Sequence, residues 1–202
     1  MSFAVTAEPT TTIDAVATVT AGSVPVLTVT PAVVEVSKDA VVDLTTGVSA
    51  TDAEDATLNI TNNGPLNTSA TGVQIITYSV TDTDGNTVTA NRTYVITSVD
   101  EPAIVGTTHV IFASNFEQLI SEVDTTDAAI IGFANARAFA LVDGSVATVD
   151  VTATGGYTGV ADTYTISFAV VEEPTTTIDA VATVTAGSVP VLTVTPAVVE
   201  VS

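Results

Sequence analysis

The sequence predicts an all-β chain of two successive sandwich domains, and three observations carry that expectation. Val, Thr, Ala and Ile supply most of the bulk, while aromatic residues make up only 5% of the 202 residues; β-branched side chains fit the pleated, half-buried surface of a strand. Hydrophobic residues amount to 46%, enough to close real cores and to set the chain apart from disordered sequences of high charge. Pro, Gly and acidic clusters cut the text into short apolar runs, the spacing expected of all-β domains.

The runs can be taken in order. "SVP" at 23–25 opens the strand-like "VLTVTPAVVEVS", with β-branched residues at alternate positions. "AVVDLTTGVSATDAED" holds a second strand and an acidic loop, "ATLNI" a short strand, and "TNNGPLNTSATG" a turn-rich connection. The clearest hairpin follows: "VQIITYSVT", a turn at "DTDGN", and "TVTANRTYVITS". Ile76, Tyr78 and Val80 share one face of its first arm, and Val88, Tyr94 and Ile96 one face of the second. About seven short strands in about 75 residues is an immunoglobulin-like rhythm, with Tyr78 placed as a tyrosine corner. "SVDEP" reads as a linker that Pro102 would stiffen. Beyond it, "TTDAAIIGFANARAFA" places Thr126 as a cap and Asp127 in the first turn of a short helix. "ARAFALV", "SVATVDVTA" and "DTYTISFAVV" return to strand patterning.

One stretch occurs twice. "EPTTTIDAVATVTAGSVPVLTVTPAVVEVS" runs from Glu8 to Ser37 and again from Glu173 to Ser202, an offset of 173 − 8 = 165 residues. The match extends back to Phe3 and Phe168 with two changes, Thr6 to Val171 and Ala7 to Glu172. The expected organisation is therefore one period of a tandem array. Residues 1–23 form the closing hairpin of a preceding repeat, 24–98 a first immunoglobulin-like sandwich, and 99–102 the linker. Residues 103–187 form a second sandwich carrying the short helix, and 188–202 the opening strand of the next repeat. Neighbouring repeats of the same chain are the expected partners, with self-association through the repeated terminal strands as the rival arrangement.

Charge narrows the function. Twenty-three acidic residues face Lys38, Arg92 and Arg137, a formal charge of −20 that repels nucleic acid and anionic lipid. No apolar run is long enough to insert in a membrane, and "MSFAVTAEPT" lacks the basic and apolar segments of a signal peptide, so targeting and anchoring segments are expected elsewhere. The chain has no Cys, hence no disulfide or thiolate chemistry. Asp52, Glu54 and Asp55 in one loop, Asp82 and Asp84 in the hairpin turn, and Asp100 and Glu101 in the linker are candidate oxygen ligands for Ca²⁺; the same residue types are also ordinary turn formers. His109 lies in a strand with no nucleophile motif around it and is expected to be structural, so no enzyme is expected. Tyr157, between glycines in "TGGYTG", is expected on the surface, where a sugar could stack on it. A Lys–Asn isopeptide would need a buried Lys38 beside an acceptor such as Asn91.

From 24 to 98 the text "PVLTV…VSATDAEDATLNI…GVQIITYSVTDTDGNTVTANRTYVI" resembles the immunoglobulin-like tandem repeats of large bacterial cell-surface adhesins. Asp52, Glu54, Asp55, Gly72, Tyr78, Asp82, Gly85, Asn86 and Arg92 stand at the positions of the pattern, and Ala56 departs from it where relatives often have Gly. The second domain is more loosely similar to companion repeats of Gram-positive wall-anchored adhesins. The resemblance implies an extracellular, cell-surface location and a structural stalk or spacer role. A self-assembling surface fibre and a ligand- or carbohydrate-binding adhesin domain are the alternatives.

Overall fold

The computed structural model describes residues 2–5, 8–14 and 22–187, the first two segments by their backbone alone. The predicted opening strand at 188–202 lies outside the described residues. In chain order the strands are β1 (Ser2–Val5), β2 (Glu8–Asp14), β3 (Val26–Val29), β4 (Val33–Ser37), β5 (Val48–Thr51), β6 (Ile60–Asn62), β7 (Gly72–Thr81), β8 (Thr87–Thr97), β9 (Ala103–Val105), β10 (His109–Phe112) and β11 (Phe116–Leu119). A 3-10 turn (Ile120–Glu122) and helix α1 (Asp127–Phe133) follow, then β12 (Arg137–Ala140), β13 (Val146–Ala147), β14 (Val149–Ala153), β15 (Asp162–Val170) and β16 (Glu173–Thr185). The fold is all-β and of immunoglobulin-like sandwich type, with the one short helix where Thr126 predicted it.

The predicted strand at 26–37 is two strands. Pro31 has no N–H to give a ladder, and the chain there passes from the β3–β5 pair to the sheet ordered β4-β8-β7-β6. "ATLNI" likewise yields pairing only from Ile60, which faces Val80 across β6–β7. In β7 the expected face is buried: Ile76, Tyr78 and Val80 are each nearly inaccessible.

The second sandwich has sheets ordered β13-β12-β10-β9 and β11-β16-β15-β14. Its core joins Ile111, Phe116, Ile130, Ile166, Phe168 and Val170 to the inward-facing residues of β16. From Thr176 onward the burial along β16 alternates, with Thr176, Ile178, Ala180, Ala182 and Val184 inside, the period-2 pattern of a strand with one face on a core. α1 starts where the Thr126 hydroxyl accepts the Ala129 N–H at 3.4 Å, and Asp124 in turn accepts from the Thr126 N–H and hydroxyl. Both sandwiches use one device: an early strand runs parallel to the closing strand, β4 beside β8 and β11 beside β16.

The chain divides into two compact units. One comprises Met1–Thr30, Thr45–Asn63 and Thr77–Asn91; the other comprises Pro31–Leu44, Gly64–Ile76 and Arg92–Ser202. The larger unit thus takes in β4, the first half of β7 and the last residues of β8 together with everything that follows them. Among the described residues no helix is long and apolar enough to cross a membrane.

Candidate functional site

The larger unit contains the segment predicted as a linker: Val99, Asp100 and Pro102 are exposed, while Glu101 is partly buried and the strands that flank the segment are packed into a joint. In β8 the alternation rule puts Tyr94 and Ile96 on the core face and leaves Thr93 and Val95 for solvent. All four are buried, Val95 completely. Val95 belongs to a second apolar cluster with Val110, Phe112 and Leu141, packed against Val33, Val73, Ala103, Val105 and Phe139. Phe112 and Phe139 meet edge to face, centroids 6.0 Å apart. The Thr93 hydroxyl, itself buried, donates to the Leu141 carbonyl at 2.6 Å.

Over this cluster lies a polar clasp. Ser98–Pro102 turns back on itself, the Ser98 N–H donating to the Glu101 carbonyl and the Glu101 N–H to the Ser98 hydroxyl. The turn fixes the Glu101 carboxylate. Arg137 donates to its Oε1 from Nε at 3.0 Å and from Nη2 at 2.6 Å, and Asn135 Nδ2 donates at 2.6 Å. The Thr71 hydroxyl donates to Oε2. Arg137 Nη2 also donates to Thr71 Oγ1 at 2.8 Å, so Thr71 at the edge of β7, Glu101 in the turn and Arg137 in β12 are tied together. The guanidinium carbon lies 5.2 Å from the Phe112 ring and 5.9 Å from Phe139, within cation–π range.

Local backbone explains the reach. Asn135 follows α1 with φ 47, the left-handed position that ends many helices and that Asn tolerates. Gly72 has φ 139, and a Cβ there would stand 3.8 Å from Arg137 Nη1. Only glycine adopts that backbone without strain.

A second clasp fastens the closing strand β16. The Glu173 carboxylate accepts from the N–H groups of Thr107, Thr108 and His109 at 2.7, 3.0 and 2.8 Å and from the Thr108 hydroxyl. Partial desolvation, the largest single influence, pushes this carboxyl up. The N–H groups of Thr107 and Thr108, the Thr108 hydroxyl and the His109 N–H together outweigh it and hold the pKa at about 2. His109 Nδ1 stands 2.9 Å from the Thr108 hydroxyl and 3.6 Å from Glu173. His109 thus joins the hydrogen-bonded group that holds the Glu173 carboxylate.

Of the acidic residues predicted as cation ligands, the loop at Asp52–Asp55 and the hairpin turn at Asp82–Asn86 are brought together through Ser23, whose carbonyl accepts from Asn86 Nδ2 at 3.2 Å, and through Thr83, whereas Asp100 and Glu101 belong to the turn after β8. Asp52 Oδ1 accepts from the Glu54 N–H, the Ser23 hydroxyl and the Asp55 N–H. The Glu54 N–H is the main cause of a carboxyl held below its ordinary value. Its Oδ2 is shielded from water and meets no donor. Glu54 accepts from the Ser23 N–H at 2.8 Å, and Asp55 from the Thr83 N–H and hydroxyl at 2.9 Å. Asp82 is buried and closes its own turn by accepting from the Asn86 N–H and side-chain amide, both at 2.7 Å. Asp84 lies against Gly22, where a Cβ would come 1.8 Å from its carboxylate. Glu101 serves the Arg137 clasp, and Asp100 beside it is exposed. Among the described residues no group of three or more His, Asp or Glu side chains is placed to hold a metal ion.

One other expectation changes. Tyr157 is not on the surface: it is 4% exposed, edge to face with Phe116 and Tyr164 at 6.0 and 5.6 Å, its hydroxyl buried without a partner. The flanking glycines bend the loop inward, Gly155 with φ 58 and no room for a Cβ against the Thr165 backbone. Lys38 is exposed, which removes the burial an isopeptide needs. Arg92 is buried and donates to the Pro31 carbonyl at 3.0 Å.

Residues 42–96, from the approach to β5 through nearly all of β8, match the family model described as bacterial surface protein, Ig-like domain. Over that segment the chain is similar to a bacterial surface Ig-like domain. Every position of the sequence motif from Asp52 to Arg92 lies inside the matched segment, and so do Thr93 and Val95 of the joint. A search of curated proteins found no match.

The alternation pattern gave no warning of the joint. A signal was present nonetheless: "RTYVI" in β8 is apolar or β-branched on both faces after its arginine, the mark of a strand covered on two sides.

Proposed function

We propose that this surface repeat is a stiff spacer, one period of a stalk that holds a binding region away from the bacterial cell. The observation that supports this reading is the joint at Ser98–Pro102. A flexible linker leaves charged and polar side chains in water, whereas here Val95 and Phe112 are fully buried and Glu101 is gripped by Arg137, Asn135 and Thr71. A joint of this kind resists bending because bending would expose apolar surface, at about 25 cal/mol per Å², and would unpair a largely desolvated carboxylate. Stiff joints make reach proportional to repeat number, which is what a stalk requires. The burial of Tyr157 takes away the aromatic platform on which the carbohydrate-binding alternative leaned.

Small-angle scattering on the full chain tests the reading. Wild-type chain is expected to give one maximum dimension across salt concentrations, and Glu101→Gln/Arg137→Met a broader distance distribution. An unaltered distribution for the double variant would sink the stiff-joint reading.

A further inference from the structure

We propose that β2 is a second copy of the closing strand, and that it takes the place of β16 in another molecule of this chain. The backbone carries the inference. β1 pairs with β2 as Ser2↔Asp14, Phe3↔Ile13, Ala4↔Thr12 and Val5↔Glu8, with the register shift between Ala4 and Val5. β15 pairs with β16 as Ser167↔Asp179, Phe168↔Ile178, Ala169↔Thr177 and Val170↔Glu173, with the shift between Ala169 and Val170. Adding 165 to each number of the first set yields the second, irregularity included. The two hairpins are one building block used twice.

From Glu8 and Glu173 onward the two copies are identical in sequence, so whatever holds β16 would hold β2. That includes the parallel ladder to β11, Phe116↔Ala182 to Leu119↔Thr185; the Thr107–His109 amides, which would donate to Glu8 as they donate to Glu173; and the core positions of Ile178, Ala180, Ala182 and Val184, matched by Ile13, Ala15, Ala17 and Val19. Exchange conserves strand pairing: β15 of one molecule takes β2 of the other, and the displaced β16 takes the other's β1, so each pair lost is remade. The two positions that differ, Thr6/Val171 and Ala7/Glu172, lie in the turn that opens. Ala7 cannot supply the acceptor that Glu172 gives the Thr148 N–H. Near-equal pairing leaves chain concentration to decide, as in domain swapping through a short hinge. One surface chain could thereby hold another. The proposal is independent of the stalk reading, since the variants that test it leave the joint untouched.

The chain has no cysteine, so crosslinks can be placed at will. Glu117 faces Thr183 in the β11–β16 ladder, and Thr18 is the sequence counterpart of Thr183. Full-length Thr18→Cys/Glu117→Cys is unfolded, refolded at a series of concentrations and oxidised; Glu117→Cys/Thr183→Cys marks the resident pairing. The expected result is a disulfide-linked dimer, above the level of either single-cysteine chain, whose share rises roughly in proportion to concentration up to the mM effective concentration of the resident strand. Ile13→Asp, which alters only the donor copy, should abolish it. Three results would overturn the proposal: no dimer above the single-cysteine chains while the resident pair crosslinks fully, a crosslink within one molecule only, or a dimer that persists with Ile13→Asp.

Discussion

Replacing Arg137 by Met removes a guanidinium but keeps most of the stem that lies beside Phe112 and Phe139. What is lost is specific. Glu101 gives up two of its donors, Nε at 3.0 Å and Nη2 at 2.6 Å, and keeps Asn135 and Thr71. Its side chain is only 13% exposed and that of Arg137 30%, so water replaces the guanidinium poorly. Hydrogen bonds to charged groups contribute about 1.5–3 kcal/mol, and breaking a fully buried pair costs about 3–5. A largely buried pair held by two donors on one carboxylate oxygen belongs near the meeting point of these ranges, and Arg137→Met should lower stability by about 2–3 kcal/mol. Glu101→Gln, which retains an acceptor for Asn135 or Thr71, should cost about 1–2 kcal/mol. Because the two residues act through one contact, the double variant should fall short of the sum by about 1–2 kcal/mol. Urea unfolding of the four chains, read as midpoint and slope, measures each corner of the cycle. An Arg137→Met chain within about 0.5 kcal/mol of wild type, or a coupling near zero, would refute the argument that this pair closes the joint.

Three further outcomes follow from the second sandwich. Glu173 has a folded pKa of about 2 against an ordinary 4.5, so its stabilisation is complete above about pH 4.5 and is lost as pH falls toward 2; melting temperature against pH should show that decline in wild type and a flatter one in Glu173→Gln. Gly106→Ala would drive a Cβ to 2.0 Å from Thr176 Oγ1 and 2.9 Å from the Glu173 carboxylate, a backbone shift expected to cost about 1–3 kcal/mol by urea unfolding. The paired tyrosines should respond in opposite ways. Tyr157→Phe removes a buried hydroxyl that has no partner and should be neutral or slightly stabilising, whereas Tyr164→Phe loses the 2.9 Å bond to the Val160 carbonyl and should cost about 1 kcal/mol.

Residue pattern alone determined the features governed by local rules. The period-2 run of β16, the Ile76–Tyr78–Val80 face of β7 and the Thr126 cap of α1 each follow from neighbours a few residues apart, and those neighbours are visible in the text. The repeated hairpin was also legible, because identical sequence took up an identical register in both places. Tertiary structure decided what lies against each face. Alternation assigns Thr93 and Val95 to the side opposite Tyr94, but it cannot say whether that side meets water or a second layer; Val110, Phe112 and Leu141 come from residues that lie further along the chain, and they cover it. Glu101, read as a linker carboxylate, and Tyr157, read as a loop aromatic, changed roles for the same reason. Burial is a property of partners distant in sequence, and the strands that bring those partners together are joined by backbone pairing, to which every residue but proline contributes both a donor and an acceptor and which therefore leaves little trace in side-chain pattern.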